Sequence, residues 1–123
     1  MRFIGRINPG LYELEFGKLQ TDEVVLMHER ELHIKEHHFD DLILLETHGK
    51  EIINNPDIVL CDIKNKGTVF LVKSLSESNL NMVLRLALET DFQGRKNSIM
   101  TFYRIRESNL KKLMNRNKIL YKK

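Results

Sequence analysis

Residues 58–105 of the chain read IVLCDIKNKGTVFLVKSLSESNLNMVLRLALETDFQGRKNSIMTFYRI. Apolar and polar side chains alternate in four runs of this stretch, which is typical of β-strands with one buried face. The runs predict strands at residues 58–62, 68–73, 80–88 and 98–105. The connections between them are short, and short connections join antiparallel neighbours, because a parallel crossover needs about a dozen residues or more. The stretch therefore predicts a four-stranded antiparallel β-meander.

The first half of the chain predicts helices, because its apolar residues recur with a helical period. Two helices are expected, over residues 29–38 and 40–54, and Pro56 ends the second because proline disfavours helix in the residue before it. Shorter elements are expected at residues 3–7, 11–16 and 24–26, and a basic helix at residues 107–115. Residues 1–123 are thus predicted to form one α+β domain, with N-terminal helices followed by the four-stranded antiparallel β-meander and a basic C-terminal helix.

The composition is ordinary for a soluble globular domain, with 41% hydrophobic and 30% charged residues. No apolar run approaches the roughly 20 residues that a membrane span needs, and the first residues lack the features of a secretory signal. Cys61 is the single cysteine, which fits a reducing compartment. We therefore expect a cytoplasmic protein without a membrane partner.

The net charge of +3 conceals two oppositely charged parts of the chain. Residues 92–123 contain ten Lys and Arg but one acidic residue, a balance of +9, whereas residues 1–91 contain ten basic and sixteen acidic residues, a balance of −6. Basic side chains gain free energy on binding a polyanion because they release the counterions of its phosphates. The segregation favours a protein that contacts nucleic acid, although a solvated basic tail gives the same pattern.

Alternation within the predicted strands also indicates which side chains share a face. Four apolar residues of the third strand fall on one face, which we expect to be core: Met82, Leu84, Leu86 and Leu88. Arg85 falls on the opposite face. In the fourth strand we expect Met100 and Phe102 in the core, which leaves Thr101 and Tyr103 on the same side as Arg85. Such a polar patch is more often structural than catalytic.

The segment HIKEHH, residues 33–38, has the highest density of side chains that can transfer protons, because it contains three of the five histidines. Histidine titrates near neutral pH, so a positioned histidine can take a proton from one oxygen and return it to another. RNA cleavage needs such proton transfer and a cation that stabilises the charge on the phosphate. His33 with Arg85, Thr101 and Tyr103 would supply these groups if the helix lies beside the open sheet face.

Two other interpretations of the histidines stay open. His33 and His37 are one helical turn apart, a geometry that suits two zinc ligands, but His48 and Cys61 fall at no familiar ligand spacing. The histidines could also lie on a solvated helix without any function. We predict neither a metal nor a cofactor.

Several short blocks of the sequence, in order, carry a resemblance to a known family. The blocks are TDEVV at 21–25, ER at 29–30, HIKEH at 33–37, NPD at 55–57, VLRL at 83–86 and KNSIMTFYRI at 96–105. Together they resemble the phage barnase–EndoU–colicin–RelE-like nucleases, the BECR fold, over residues 21–123. The resemblance implies N-terminal helices followed by a four-stranded antiparallel sheet, and the activity of a metal-independent ribonuclease.

The resemblance also implies roles for individual residues. His33 matches the helix histidine of the family, and Arg85, Ser98 and Thr101 match its polar sheet positions. His37 is a second match, but the family often has Arg-His-Pro where this chain has His37-His38-Phe39, so the equivalent of the second histidine stays open between His37 and His38.

The leading hypothesis is therefore a metal-independent RNA endonuclease of the toxin or phage type, which cleaves by general acid/base chemistry to a 2′,3′-cyclic phosphate. The predicted catalytic residues are His33, His37, Arg85, Ser98, Thr101 and Tyr103. The predicted nucleic-acid-binding residues are Lys73, Lys96, Arg104, Lys111 and Lys112. The predicted partners are RNA, with tRNA as one candidate, and a protein inhibitor or antitoxin. The alternative is a non-catalytic module that binds nucleic acid or protein on the same fold.

Overall fold

A computed structural model describes all 123 residues and shows one mixed sheet of seven strands with helices on its faces. The strands are β1 (Arg2–Arg6), β2 (Glu23–Leu26), β3 (Ile58–Cys61), β4 (Thr68–Ser74), β5 (Asn79–Arg85), β6 (Asn97–Ile105) and β7 (Lys118–Lys122). The helices are α1 (Glu13–Phe16), α2 (His28–His37), α3 (Phe39–Asn54) and α4 (Glu107–Arg116), and a 3₁₀ turn (Pro9–Leu11) precedes α1. The spatial order of the strands is β1-β2-β6-β5-β4-β3-β7.

The predicted fold class, N-terminal helices followed by a four-stranded antiparallel β-meander, is wrong. Strands β3 to β6 do pair antiparallel in chain order, but they form the middle of a larger sheet. Strand β2 adds to β6 in parallel, β1 adds to β2, and β7 adds to the free edge of β3. The added strands are only four or five residues long, too short for a clear alternation pattern.

A buried asparagine links the short parallel strand β2 to β6. Asn97 is fully buried, and its Nδ2 donates to the carbonyl oxygens of Thr21 and Glu23, both at 2.9 Å. Its Oδ1 accepts from the backbone N–H of Ala87 at 2.8 Å. One side chain thus satisfies three backbone groups where β2 begins and where the chain leaves β5, which supports a pairing that has few ladder bonds of its own.

The main core lies between the sheet and the helices α2 and α3. Ile34 of α2 and Leu45, Ile52 and Ile53 of α3 pack in one cluster with the apolar face of the sheet. The prediction that Met82, Leu84, Leu86 and Leu88 are core residues is confirmed, since all four are buried in this cluster.

A β-bulge in β6 changes which of its side chains enter the main core. Val83 is opposite Thr101, but the next residue, Leu84, is opposite Ile99, so Met100 is the extra residue of the bulge. Ile99 and Phe102 are consequently buried in the main core, whereas Met100 is only half-buried. The prediction that Met100 is a core residue is wrong for this reason.

The other face of the sheet is covered in part by α4. Leu110 of α4 packs in a second apolar cluster with Ile58, Leu60, Val72 and Ile105. Helix α4 therefore runs from the end of β6 towards the opposite edge, where β7 pairs with β3. None of the helices combines the length and the apolar character of a membrane-spanning helix.

Candidate functional site

The predicted catalytic histidines lie on the outer surface of α2. His33 is half-buried and His37 is exposed, and their rings make an edge-to-face contact with 4.3 Å between centroids. Neither ring forms a hydrogen bond or an ion pair with any of the predicted sheet residues, which are Arg85, Ser98, Thr101 and Tyr103. No three His, Cys, Asp or Glu side chains come together in an arrangement that could hold a metal ion.

The four predicted sheet residues share one face. Arg85 is opposite Ser98, and Thr101 and Tyr103 are opposite Val83 and Asn81 of the same face. The Tyr103 hydroxyl is held by a hydrogen bond from Asn81 Nδ2 at 2.9 Å.

The guanidinium of Arg85 is already engaged within the protein. It donates to the Leu86 carbonyl oxygen and lies 3.2 Å from Asp91 Oδ1. Gly67, with φ of +86°, packs directly under it, and a Cβ at this position would overlap the guanidinium. Burial alone would raise the pKa of Asp91, but the hydrogen bond from the Leu88 N–H and the charge of Arg85 outweigh it and hold that pKa below its usual range. Arg85 therefore stabilises the loop after β5.

The structure places the predicted catalytic residues on two sides of the sheet. Ile34 of α2 packs with the face that carries Leu84, whereas Arg85, Ser98, Thr101 and Tyr103 alternate to the other face. Arg85 lies opposite Ser98 at the beginning of β6. The histidine segment ends instead beside Arg104 at the far end of the same strand, where Arg104 Nη2 lies 3.2 Å from His38 Nδ1. The contact made at the end of β6 defines a different candidate site.

This site is a cleft of about 740 Å³, which we call the His38 cleft. Its polar lining consists of His38, Asp41, Ser76, Glu77, Ser78, Asn79, Arg104, Arg106 and Glu107. Arg104 Nε donates to Asp41 Oδ1 at 3.0 Å, and the Asp41 side chain is only 8% exposed. This ion pair, with its carboxylate buried and its guanidinium exposed, anchors the end of β6 to the first turn of α3 and holds the guanidinium next to His38.

The backbone at His38 explains why this side chain reaches the cleft. His38 has an extended conformation, with φ of −162° and ψ of 103°, and separates α2 from α3. Its N–H donates to the carbonyl oxygen of Ile34, and its carbonyl oxygen accepts from the N–H of Asp41. The backbone of the residue is thus held by both helices, and its exposed ring lines the cleft beside Arg104.

Two further carboxylates line the His38 cleft. Glu77 lies in the turn between β4 and β5, and Glu107 begins α4. Asn79 Nδ2 donates to Glu107 Oε2 at 2.8 Å, which orients that carboxylate. The cleft therefore combines an imidazole, three carboxylates, of which Asp41 is paired with Arg104, and two guanidinium groups. These are the groups needed for proton transfer and for stabilising phosphate charge.

A second depression, which we call the basic groove, lies between β6 and α4 and has a volume of about 420 Å³. It is lined by Tyr103, Arg104, Ile105, Arg106, Asn109, Lys112, Leu113 and Arg116, with no acidic residue among them. The segment from Arg104 to Arg106 also lines the His38 cleft, so the two depressions adjoin.

The predicted nucleic-acid-binding residues have unequal surroundings. Lys73 is only 14% exposed and bonds to the Asn55 carbonyl oxygen and to Asp57. Lys96 bonds to Glu23, and this bond holds the pKa of Glu23 below its usual range. Lys111 is exposed outside the basic groove, whereas Arg104 and Lys112 line it. Arg106 and Arg116 also line the basic groove, and no motif in the sequence predicts this.

Comparisons of the chain with models of protein families, with curated proteins and with solved structures found no match. The resemblance to the BECR-fold nucleases stays a prediction from the sequence.

Proposed function

We propose that this chain is a metal-independent RNA endonuclease whose reacting phosphate binds in the His38 cleft. The observation that carries the proposal is the contact of His38 with Arg104 in a cleft that also holds Glu107. An imidazole beside a fixed guanidinium and an oriented carboxylate suits the cleavage of a phosphodiester by its own 2′-hydroxyl.

The proposed reaction uses three groups of the cleft. Glu107 accepts the proton of the 2′-hydroxyl as the 2′-oxygen attacks phosphorus. His38 gives a proton to the leaving 5′-oxygen as the bond between phosphorus and that oxygen breaks. Its ring takes up this proton once the bound phosphate replaces it as the partner of the Arg104 guanidinium, because a guanidinium donates only to an unprotonated ring nitrogen. Arg104 and Arg106 stabilise the negative charge that develops on the phosphate. The products are a 2′,3′-cyclic phosphate and a 5′-hydroxyl.

A non-catalytic RNA-binding module is the second candidate. It is favoured by the basic groove, because Arg106, Lys112 and Arg116 line it and none forms an ion pair within the protein. These cations would hold phosphates whether or not any bond is cleaved.

The experiment that separates the two candidates is incubation of end-labelled RNA with the protein in the presence of EDTA. We expect fragments that end in 2′,3′-cyclic phosphate. The control substrate is the same RNA with 2′-O-methyl groups, which lacks the nucleophile and should stay intact. If the unmodified RNA also stays intact at high protein concentration while it remains bound, the endonuclease proposal is wrong and the binding module is supported.

A further inference from the structure

Four cations line the basic groove, and three of them, Arg106, Lys112 and Arg116, are exposed and form no ion pair, whereas Arg104 pairs with Asp41. Arg85, Lys73 and Lys96 each pair with a carboxylate. Arg106, Lys112 and Arg116 line one groove without an acidic residue. Like charges that share a groove repel each other, and this repulsion is relieved when a chain of phosphates binds.

Tyr103 adds an aromatic ring to the same groove. Its ring is half-buried and packs against the second apolar cluster, and its hydroxyl accepts a hydrogen bond from Asn81. A ring held at both ends offers a surface on which a nucleobase can stack at little cost in side-chain entropy. A base has a free face for such stacking only where it is not enclosed in a duplex.

Resting on the proposed endonuclease activity, we infer that the basic groove binds the single strand of RNA that continues from the scissile phosphate in the His38 cleft. The segment Arg104–Arg106 lines both depressions, so a strand that crosses it passes from one to the other. Lys112 and Arg116 then contact its phosphates, and Tyr103 stacks on a base. The substrate class is single-stranded RNA that extends beyond the cleaved linkage.

The test compares cations on the same helix. Lys111 and Lys112 are neighbouring, exposed lysines of α4, but only Lys112 lines the basic groove. The probe is a fluorescent single-stranded 2′-O-methyl RNA, which binds without being cleaved, and the readout is the dissociation constant over a range of salt concentrations. Each phosphate contact contributes about 0.7 to the slope of log K against log salt for a single strand. The double variant Lys112→Gln/Arg116→Gln should therefore lower this slope by about 1.4.

The single variant Lys112→Gln should lower the slope by about 0.7. Lys111→Gln is its matched control and should change the slope far less. If it lowers the slope as much as Lys112→Gln, the attraction is diffuse and the groove is not a defined site. Tyr103→Phe keeps the ring and should keep the affinity, whereas Tyr103→Leu should weaken it, and equal affinity in all three proteins would exclude stacking. The corresponding duplex should bind more weakly than the single strand, and equal affinity for both would overturn the inference.

The two proposals fail in different ways in this design. Binding of the uncleavable probe is measured whether or not the protein cuts RNA, so a lack of cleavage leaves the groove test intact. If cleavage is observed but KM does not rise in the double variant, the groove inference is wrong while the endonuclease proposal stands.

Discussion

Replacement of His38 by alanine is expected to lower kcat for RNA cleavage by about 10²–10⁴-fold, the usual contribution of a general acid or base. The ring is exposed, and its only hydrogen-bond partner is Arg104. Its backbone hydrogen bonds to Ile34 and Asp41 do not involve the ring. The variant should therefore fold normally, and the loss should appear in single-turnover cleavage of labelled RNA.

His37→Ala is the matched control for this prediction. His37 is an exposed histidine one residue earlier, but it contacts His33 and does not line the His38 cleft. We expect its activity to be near that of the unmodified protein, and the same holds for His33→Ala. Full activity in His38→Ala, or a large loss in His33→Ala alone, would move the reaction centre to the site predicted from the sequence.

Replacement of Asn97 by alanine is expected to lower the free energy of unfolding by about 2–4 kcal/mol, because it leaves backbone polar groups without partners. The N–H of Ala87 loses the acceptor that it has at 2.8 Å, and the carbonyl oxygens of Thr21 and Glu23 each lose a donor. Asn97 is fully buried, so water reaches these groups poorly. Urea unfolding followed by circular dichroism measures the change.

Asn115→Ala serves as the control for this substitution. Asn115 is exposed on α4 and forms no side-chain hydrogen bond, so the change in unfolding free energy should stay within about 0.5 kcal/mol. If Asn97→Ala is as stable as Asn115→Ala, the asparagine does not hold β2 to β6, and the account of the parallel pairing is wrong.

The strands between residues 58 and 105 could be predicted from the sequence because each is a largely apolar run bounded by polar turn residues, and because each pairs with the strand next to it in the chain. Strand β2 has four residues, and its parallel partner β6 lies about seventy positions along the chain, joined through Asn97. Strand β7 has the sequence KILYK and follows a basic helix, so its sequence alone resembles a charged tail. It becomes a strand because it pairs with the edge of β3. Short strands depend on such distant partners, which a local pattern does not contain.

The candidate site could likewise be predicted only in part from the sequence. Alternation correctly indicated that Thr101 and Tyr103 share a face with Arg85, since this follows from neighbouring strands. It did not indicate that Asp91 pairs with Arg85, or that His38 meets Arg104 across 66 positions of sequence. The first contact depends on the course of the loop after β5, and the second depends on the break between α2 and α3. No sequence motif predicts either feature.

The most direct test of the central claim is an NMR titration of the ¹⁵N-labelled protein with a single-stranded 2′-O-methyl RNA. If the scissile phosphate binds in the His38 cleft, the largest amide shifts should occur at His38, Ser78, Asn79 and Arg106, which belong to three different segments that meet there. Shifts concentrated instead at Arg85, Ser98 and Thr101, or no shift at a large excess of RNA, would contradict the account.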